Sequence, residues 1–270
     1  MDPAAASLRP RGALELVDAA AVLLRQRTGD LALVAAVTVV PVIVFSLLAG
    51  ANVPEDGASP SGGIGSLAFG QEDINVGLLI VEILISSLLF SVVAFAMTRY
   101  IVSDLFGESE SASVALRAAA KRIPVLVVLW VVVHLAELAG LLLVGVGAVI
   151  ATVALVVTVP ALAAEPDHTV MSAFRRSWNL TKGARGHVFG VLVVLFLVNS
   201  VLGLVLVIAP ASLVGLFLEG WNLVIVATGL QAMASLVTEA IVAATTVYLY
   251  LDLRVRREGL DIDLRLRQTA

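Results

Sequence analysis

Between Leu31 and Gly50 the chain carries no charged residue, and five further stretches come close to matching it. A helix rises ~1.5 Å per residue, so about 20 mostly apolar residues cross the ~30 Å hydrocarbon layer of a bilayer. Runs of that length predict an all-α fold, a polytopic bundle of six transmembrane helices. The spans are read as 31–50, 76–103, 124–143, 146–164, 187–209 and 227–251. The third and fourth share one apolar stretch from Pro124 to Ala164, too long for one helix and divided near Gly140 to Gly147, which predicts a tight hairpin. Ala211 to Val226 is apolar but interrupted by Glu219, Gly220 and Asn222, and reads as an interfacial or re-entrant segment. With 60% of residues hydrophobic and 14% charged, a water-soluble fold could not hide this much apolar surface.

Domain organisation follows from these runs. Residues 1–30 form a polar N-terminal segment, 31–251 the membrane domain and 252–270 a basic tail. Arg9, Arg11, Glu15, Asp18, Arg25, Arg27 and Asp30 break up the N-terminal segment, so no cleavable signal peptide is expected there.

The net charge of −4 conceals an uneven distribution. Arg9, Arg11, Arg25 and Arg27 precede the first span, and Arg99, Arg117, Lys121 and Arg122 surround the connection between spans two and three. Arg175, Arg176, Lys182 and Arg185 occupy the connection between spans four and five, and Arg254, Arg256, Arg257, Arg265 and Arg267 follow span six. These are all seventeen cationic residues. The alternate connections hold none, and Ala51 to Asn75 is acidic. Because lysine and arginine are retained on the cytoplasmic side, both termini are expected in the cytoplasm. The abundance of arginine over lysine, of which only Lys121 and Lys182 occur, suits a bacterium with a GC-rich genome, and hence a bacterial cell membrane.

Each cytoplasmic connection also carries a short stretch that is apolar on one helical face and ends in basic residues: Ala13 to Gln26, Ser111 to Arg122 and Val170 to Gly183. Each directly precedes an odd-numbered span. The pattern reads either as three parallel helix-plus-hairpin units or as generic basic flanks. Such helices lie in the headgroup layer with arginines toward lipid phosphates. Arg175, Arg176, Trp178, Lys182, Arg254, Arg256 and Arg257 are therefore candidate contacts to anionic lipid or to a partner membrane protein.

Ionisable and polar groups inside the spans are the remaining candidates for chemistry. Glu82, His134, Glu137, Asn199, Gln231 and Glu239 could line a polar cavity or a proton path, with Gln231, Ser235, Thr238 and Glu239 forming a stripe at helical spacing. The alternative is that they glue helices together by hydrogen bonds. No metal site is expected from His134 and Glu137 alone, no cofactor is implied, and the chain has no cysteine. Neither a G-x-S-x-G elbow nor H-E-x-x-H nor a phosphate-cradling loop occurs, so no enzyme is expected. Nucleic-acid binding is not expected, because every basic cluster abuts a span. The SGGIGS run at Ser61 to Ser66 reads as a flexible loop, and DIDLRLR at the end of the tail as a strand or extended segment.

Two stretches, VPALAAE followed by SAFRRSWNLTKG within Pro160 to Gly183, and YLYLDLRVRREGLDI from Tyr248 to Ile262, resemble the membrane-domain family of glycerophosphoryl diester phosphodiesterases. The resemblance implies a six-span helical protein of poorly defined function. Phosphodiesterase activity in that family belongs to a separate soluble barrel, for which this chain has no room, and is not implied here.

Overall fold

A computed structural model describes residues 9–51, 76–142, 145–165, 167–218 and 220–262. Among these the secondary structure is helical, with no strand, and six helical stretches are long and apolar enough to cross a membrane. The chain is a multi-pass membrane protein. The helices are α1 (Ala13–Gln26), α2 (Thr28–Ala51), α3 (Val76–Leu105), α4 (Ala112–Lys121), α5 (Ile123–Leu141), α6 (Val146–Leu155), α7 (Thr158–Ala164), α8 (Val170–Thr181), α9 (Arg185–Gly203), α10 (Ala209–Val214) and α11 (Gly220–Glu258). The six crossing stretches are Thr28–Phe45, Ile80–Leu105, Ile123–Leu141, Val146–Ala164, Arg185–Val214 and Ile225–Glu258. The acidic connection after α2, the SGGIGS run, Glu219 and the DLRLR end of the tail lie outside the described residues.

The chain divides into two compact units. Unit 1 comprises Met1–Val34, Ser91–Leu195 and Ala240–Ala270; unit 2 comprises Ala35–Phe90 and Phe196–Glu239. Every described lysine and arginine belongs to unit 1. In unit 2 the ionisable residues, described or not, are all acidic.

Unit 1 contains the three short helices, each of which buries one face of mostly small residues. In α1 this face is Leu16, Val17 and Ala20; in α4 it is Ala112, Ala115 and Ala119; in α8 it is Ala173, Ser177, Leu180 and Thr181. The i, i+3, i+4, i+7 spacing keeps such residues on one side of a helix and lets its backbone approach its neighbours closely. On α8, Ser177 and Thr181 both donate to the Ala154 carbonyl, at 2.8 and 3.3 Å, which fastens that helix to α6. Glu15 caps α1 by accepting from the Gly12 amide at 3.1 Å and from Arg9 at 3.0 Å.

The hairpin expected between spans three and four is formed by α5 and α6. Gly145 turns the chain with φ +77°, and Gly140 packs against Gly147 so closely that a Cβ on Gly140 would stand 2.5 Å from the Gly147 carbonyl carbon. Only two glycines permit that contact.

The segment around Pro210 differs from the sequence reading. Helix α9 does not end at Ala209 but passes through a π-helical turn, Leu204–Ile208, into α10, and α11 starts at Gly220. The wider turn relieves the clash that the proline ring would make with the preceding turn of a regular α-helix. Among the described residues of 211–226, α10 runs to Val214, a turn follows at 215–217, and 220–226 belong to α11. At the other end, α11 continues beyond Leu251 to Glu258, and 260–262 form a further helical turn where an extended segment was expected. With 39 residues, α11 is about 58 Å long, well beyond the hydrocarbon thickness.

Replacing Gly140 by alanine forces the hairpin backbones apart. Gly140→Ala is expected to lower stability by about 1–3 kcal/mol, as overpacking does, whereas Gly190→Ala, where a Cβ meets nothing within 4 Å, should be neutral or stabilising. Thermal unfolding in detergent measures both; equal melting temperatures would contradict the close-packed hairpin. The hydrogen bond from the Gly12 amide, with that from Arg9, holds the Glu15 carboxyl below the usual glutamate range. A lowered folded-state value stabilises above the unfolded value and is lost as pH falls through the folded one. The protection factors of the α1 amides, which are exchange rates corrected for the intrinsic pH dependence, should therefore fall on going from pH 6 to pH 3 in the native chain, and Glu15→Gln should abolish that fall.

Candidate functional site

The densest polar chemistry lies in unit 1, on the last turns of α11 and the segments packed against them. Asp252 carries a side chain that is 1% exposed. A carboxylate removed from water is tolerated only when paired and hydrogen-bonded, and both its oxygens are occupied. Oδ1 accepts from the Arg11 amide at 2.7 Å; Oδ2 accepts from Arg256 Nε at 2.7 Å and meets His187 Nε2 at 3.1 Å. Arg256 also donates through Nη2 to the Arg11 carbonyl at 2.7 Å. One side chain thus ties together the chain entering α1, the first turn of α9 and the end of α11.

A second carboxylate closes the neighbouring corner of the same unit. Glu165, at the end of α7, accepts from Arg176 Nε at 3.0 Å and from the Tyr250 hydroxyl at 2.7 Å, and pairs with His168 at 3.1 Å. Arg176 extends its other nitrogens to both oxygens of Glu258, one at 2.8 Å and one closer, and Glu258 receives Arg254 Nε at 3.1 Å. Burial works against the Arg176 charge, but the bonds to Glu258 and Glu165 outweigh it and raise its proton affinity above that of an ordinary arginine. Tyr100 adds a link of the same kind, donating to Asp30 at 2.7 Å.

These pairs redistribute the candidate interfacial residues. Arg176, Arg254 and Arg256 are consumed by Glu165, Glu258 and Asp252. Arg175, Lys182 and Arg257 are exposed and have no acceptor among the described residues, and Trp178 is 39% exposed. Glu165 ends the fourth span just before Arg175 and Arg176, which makes a salt bridge to that pair legible in the sequence; the parts played by Asp252, His187, His168 and Tyr250 are not. An aspartate in the otherwise apolar run Tyr248 to Leu253 was the available signal.

Of the intramembrane candidates, His134 and Glu137 fall in unit 1 and Glu82, Asn199, Gln231 and Glu239 in unit 2. In unit 1, His134 turns its Nδ1 to the Trp130 carbonyl at 2.9 Å and its ring onto Trp130 at 4.5 Å, while Glu137 accepts from Thr152 across the hairpin at 3.0 Å. Both are therefore engaged in local contacts. In unit 2, Gln231 donates to Ser235 at 3.2 Å, Asn199 and Glu82 are half-buried, and Glu239 lies beside Thr38. Glu239 Oε2 and Thr38 Oγ1 are both buried and short of hydrogen-bond geometry. No hydrogen bond joins His134 to Glu137, or any two of Glu82, Gln231 and Glu239. Among the described residues no three histidine or carboxylate side chains are grouped to hold a metal ion.

Comparison with family models, curated proteins and solved structures yields no match to this chain.

Asp252→Asn leaves His187, Arg256 and the Arg11 amide facing a neutral group. Loss of one partner of a buried charge pair costs about 3–5 kcal/mol, so this variant should unfold well before Arg175→Gln, which removes an exposed, unpaired charge. Detergent-resistant unfolding monitored by circular dichroism compares them, and similar midpoints would contradict the clamp.

Proposed function

We propose that this chain is a non-enzymatic protein of the bacterial cell membrane, with both termini in the cytoplasm, serving as a scaffold or accessory subunit at the cytoplasmic lipid interface. The observation that carries this reading is the confinement of every described cation to unit 1. Retention of lysine and arginine on the cytoplasmic side supports a cytoplasmic position for the cation-bearing helices and helix ends of that unit. Its polar groups support a structural role, because the carboxylates of Asp252 and Glu165 are held by arginines, histidines, the Arg11 amide and the Tyr250 hydroxyl, which locks helix ends together. The exposed remainder, including Arg25, Arg117, Lys121, Arg175 and Lys182 on or beside α1, α4 and α8, suits anionic headgroups and the acidic surface of a partner membrane protein. The resemblance of 160–183 and 248–262 to the membrane-domain family of glycerophosphoryl diester phosphodiesterases belongs to the same proposal. It is a resemblance to a module that accompanies catalytic domains without being one. Gentle extraction of a tagged chain should recover a stoichiometric membrane partner, and recovery should fall in a variant with Arg117, Lys121 and Arg175 neutralised. A monomer purified without any partner, whatever the detergent, would overturn the scaffold role.

A second reading, a small transporter or lipid-handling permease, rests on the Glu239 and Thr38 oxygens. A buried carboxyl oxygen without a partner is costly, and a transported proton, ion or polar solute would satisfy it. Flux through proteoliposomes that falls at least tenfold in Glu239→Gln would favour this reading; flux equal to that of empty vesicles would dismiss it.

A further inference from the structure

At the turn between α8 and α9 three cations come together without the carboxylate partners that hold Arg176, Arg254 and Arg256. Arg185 stacks its guanidinium on the Trp178 ring, 4.7 Å from the centroid, and its Nε is buried without an acceptor. Gly183 holds the turn with φ +86°, and the Arg257 guanidinium packs directly on it, where a Cβ would meet Nη2 at 2.8 Å. Lys182, beside that glycine, is exposed. Among the described residues none of these three cations has a hydrogen-bond acceptor. The nearby carboxylates are already spent: Glu258, next to Arg257 in the chain, on Arg176 and Arg254, and Asp252 on Arg256, His187 and the Arg11 amide.

A buried guanidinium N–H without an acceptor is among the costlier defects a folded chain can keep. Three unneutralised cations around one tight turn add mutual repulsion. Both costs vanish if an anion with several acceptor oxygens occupies the turn. A phosphate group meets that requirement, since arginine forks match its oxygens and lysine supplies a point charge. The dipole of α9, whose N-terminus begins at Arg185, adds to the attraction. An exposed tryptophan edge beside the cations suits the boundary between headgroup and acyl chain.

We infer that Lys182, Arg185 and Arg257, with Trp178 as the apolar wall, form a binding site for the phosphate of an anionic phospholipid. The site rests on the cytoplasmic, interfacial role proposed for unit 1 and names the ligand of its free cations.

The purified full-length chain in a neutral detergent is titrated with dihexanoylphosphatidylglycerol, with dihexanoylphosphatidylcholine and with inorganic phosphate, and binding is read by intrinsic tryptophan fluorescence and native mass spectrometry. Saturable binding of the glycerol lipid is expected, weakened about tenfold in Arg185→Gln and in Arg257→Gln, since a charge-assisted hydrogen bond carries that much. Arg27→Gln makes the same charge change at a cation already paired with Asp104 and should leave affinity within about twofold. Lys182→Gln, at an exposed position, guards against misfolding of the arginine variants and should weaken binding severalfold with an unchanged circular dichroism spectrum. Absence of saturable binding, equal loss in Arg27→Gln, or equal affinity for the choline lipid overturns the site. Inorganic phosphate binding as tightly as the glycerol lipid overturns its assignment to a lipid. Partner recovery tests the scaffold role separately: lipid binding without a partner removes the scaffold and keeps the site, and a partner without lipid binding does the reverse.

Discussion

Hydrocarbon offers a peptide group nothing to bond with, and this constraint shapes nearly every feature of the chain. Each crossing segment must satisfy its own amides and carbonyls, which leaves only the helix for a chain with this pattern of continuous apolar runs. Even the interruptions obey it. At Pro210 the helix widens into a π-turn and continues, so the proline costs little of the backbone ladder. At Gly140 and Gly147 two helices approach to backbone contact, and the Thr152 hydroxyl donates to Glu137 across the same hairpin. The abundant outward-facing Leu, Val and Phe on α5, α9 and α10 are the expected complement, since lipid replaces water around them.

The same constraint explains why charge is treated so differently in the two units. Among the described residues unit 2 keeps two ionisable groups, Glu82 and Glu239, the latter beside the Thr38 hydroxyl. In unit 1 the carboxylates are buried only where arginine, tyrosine or a backbone amide reaches them, because desolvated charges repay their cost only through close, multiple bonds. Asp252 and Glu165 work as clasps on elements that helix packing alone would leave free: the approach to α1, the start of α9, and α8. Small residues on α1, α4 and α8 bring these helices near, and the ion pairs set their direction. What is left over is a set of cations facing outward, and these define how the protein meets its surroundings.

Much of the fold was legible in the sequence because hydropathy acts locally. Span count, the hairpin at Gly140 to Gly147 and the positions of α1, α4 and α8 follow from residues near one another. The Glu165 and Arg176 pair was legible for the same reason, being eleven residues apart. Asp252 was not, because its partners Arg11 and His187 lie 241 and 65 residues before it; nothing in a one-dimensional pattern brings those three together. The end set for span five at Ala209 missed for a different reason. A proline ends a helix in water, but in a membrane span the alternative to continuing the helix is exposed backbone, and α9 carries on past Pro210 through the π-turn. Arg185 escaped notice among flanking arginines whose presence orientation already explained.

The central claim is that the cation-bearing unit faces the cytoplasm. With no cysteine in the chain, single substitutions report on sidedness without background, using a membrane-impermeant maleimide on intact spheroplasts. Ser61→Cys, between the first two spans, should label at once, whereas Ser113→Cys on α4 and Gln268→Cys near the C-terminus should label only after the membrane is opened. Labelling of Ser113→Cys or Gln268→Cys in intact spheroplasts, with Ser61→Cys protected, would contradict it.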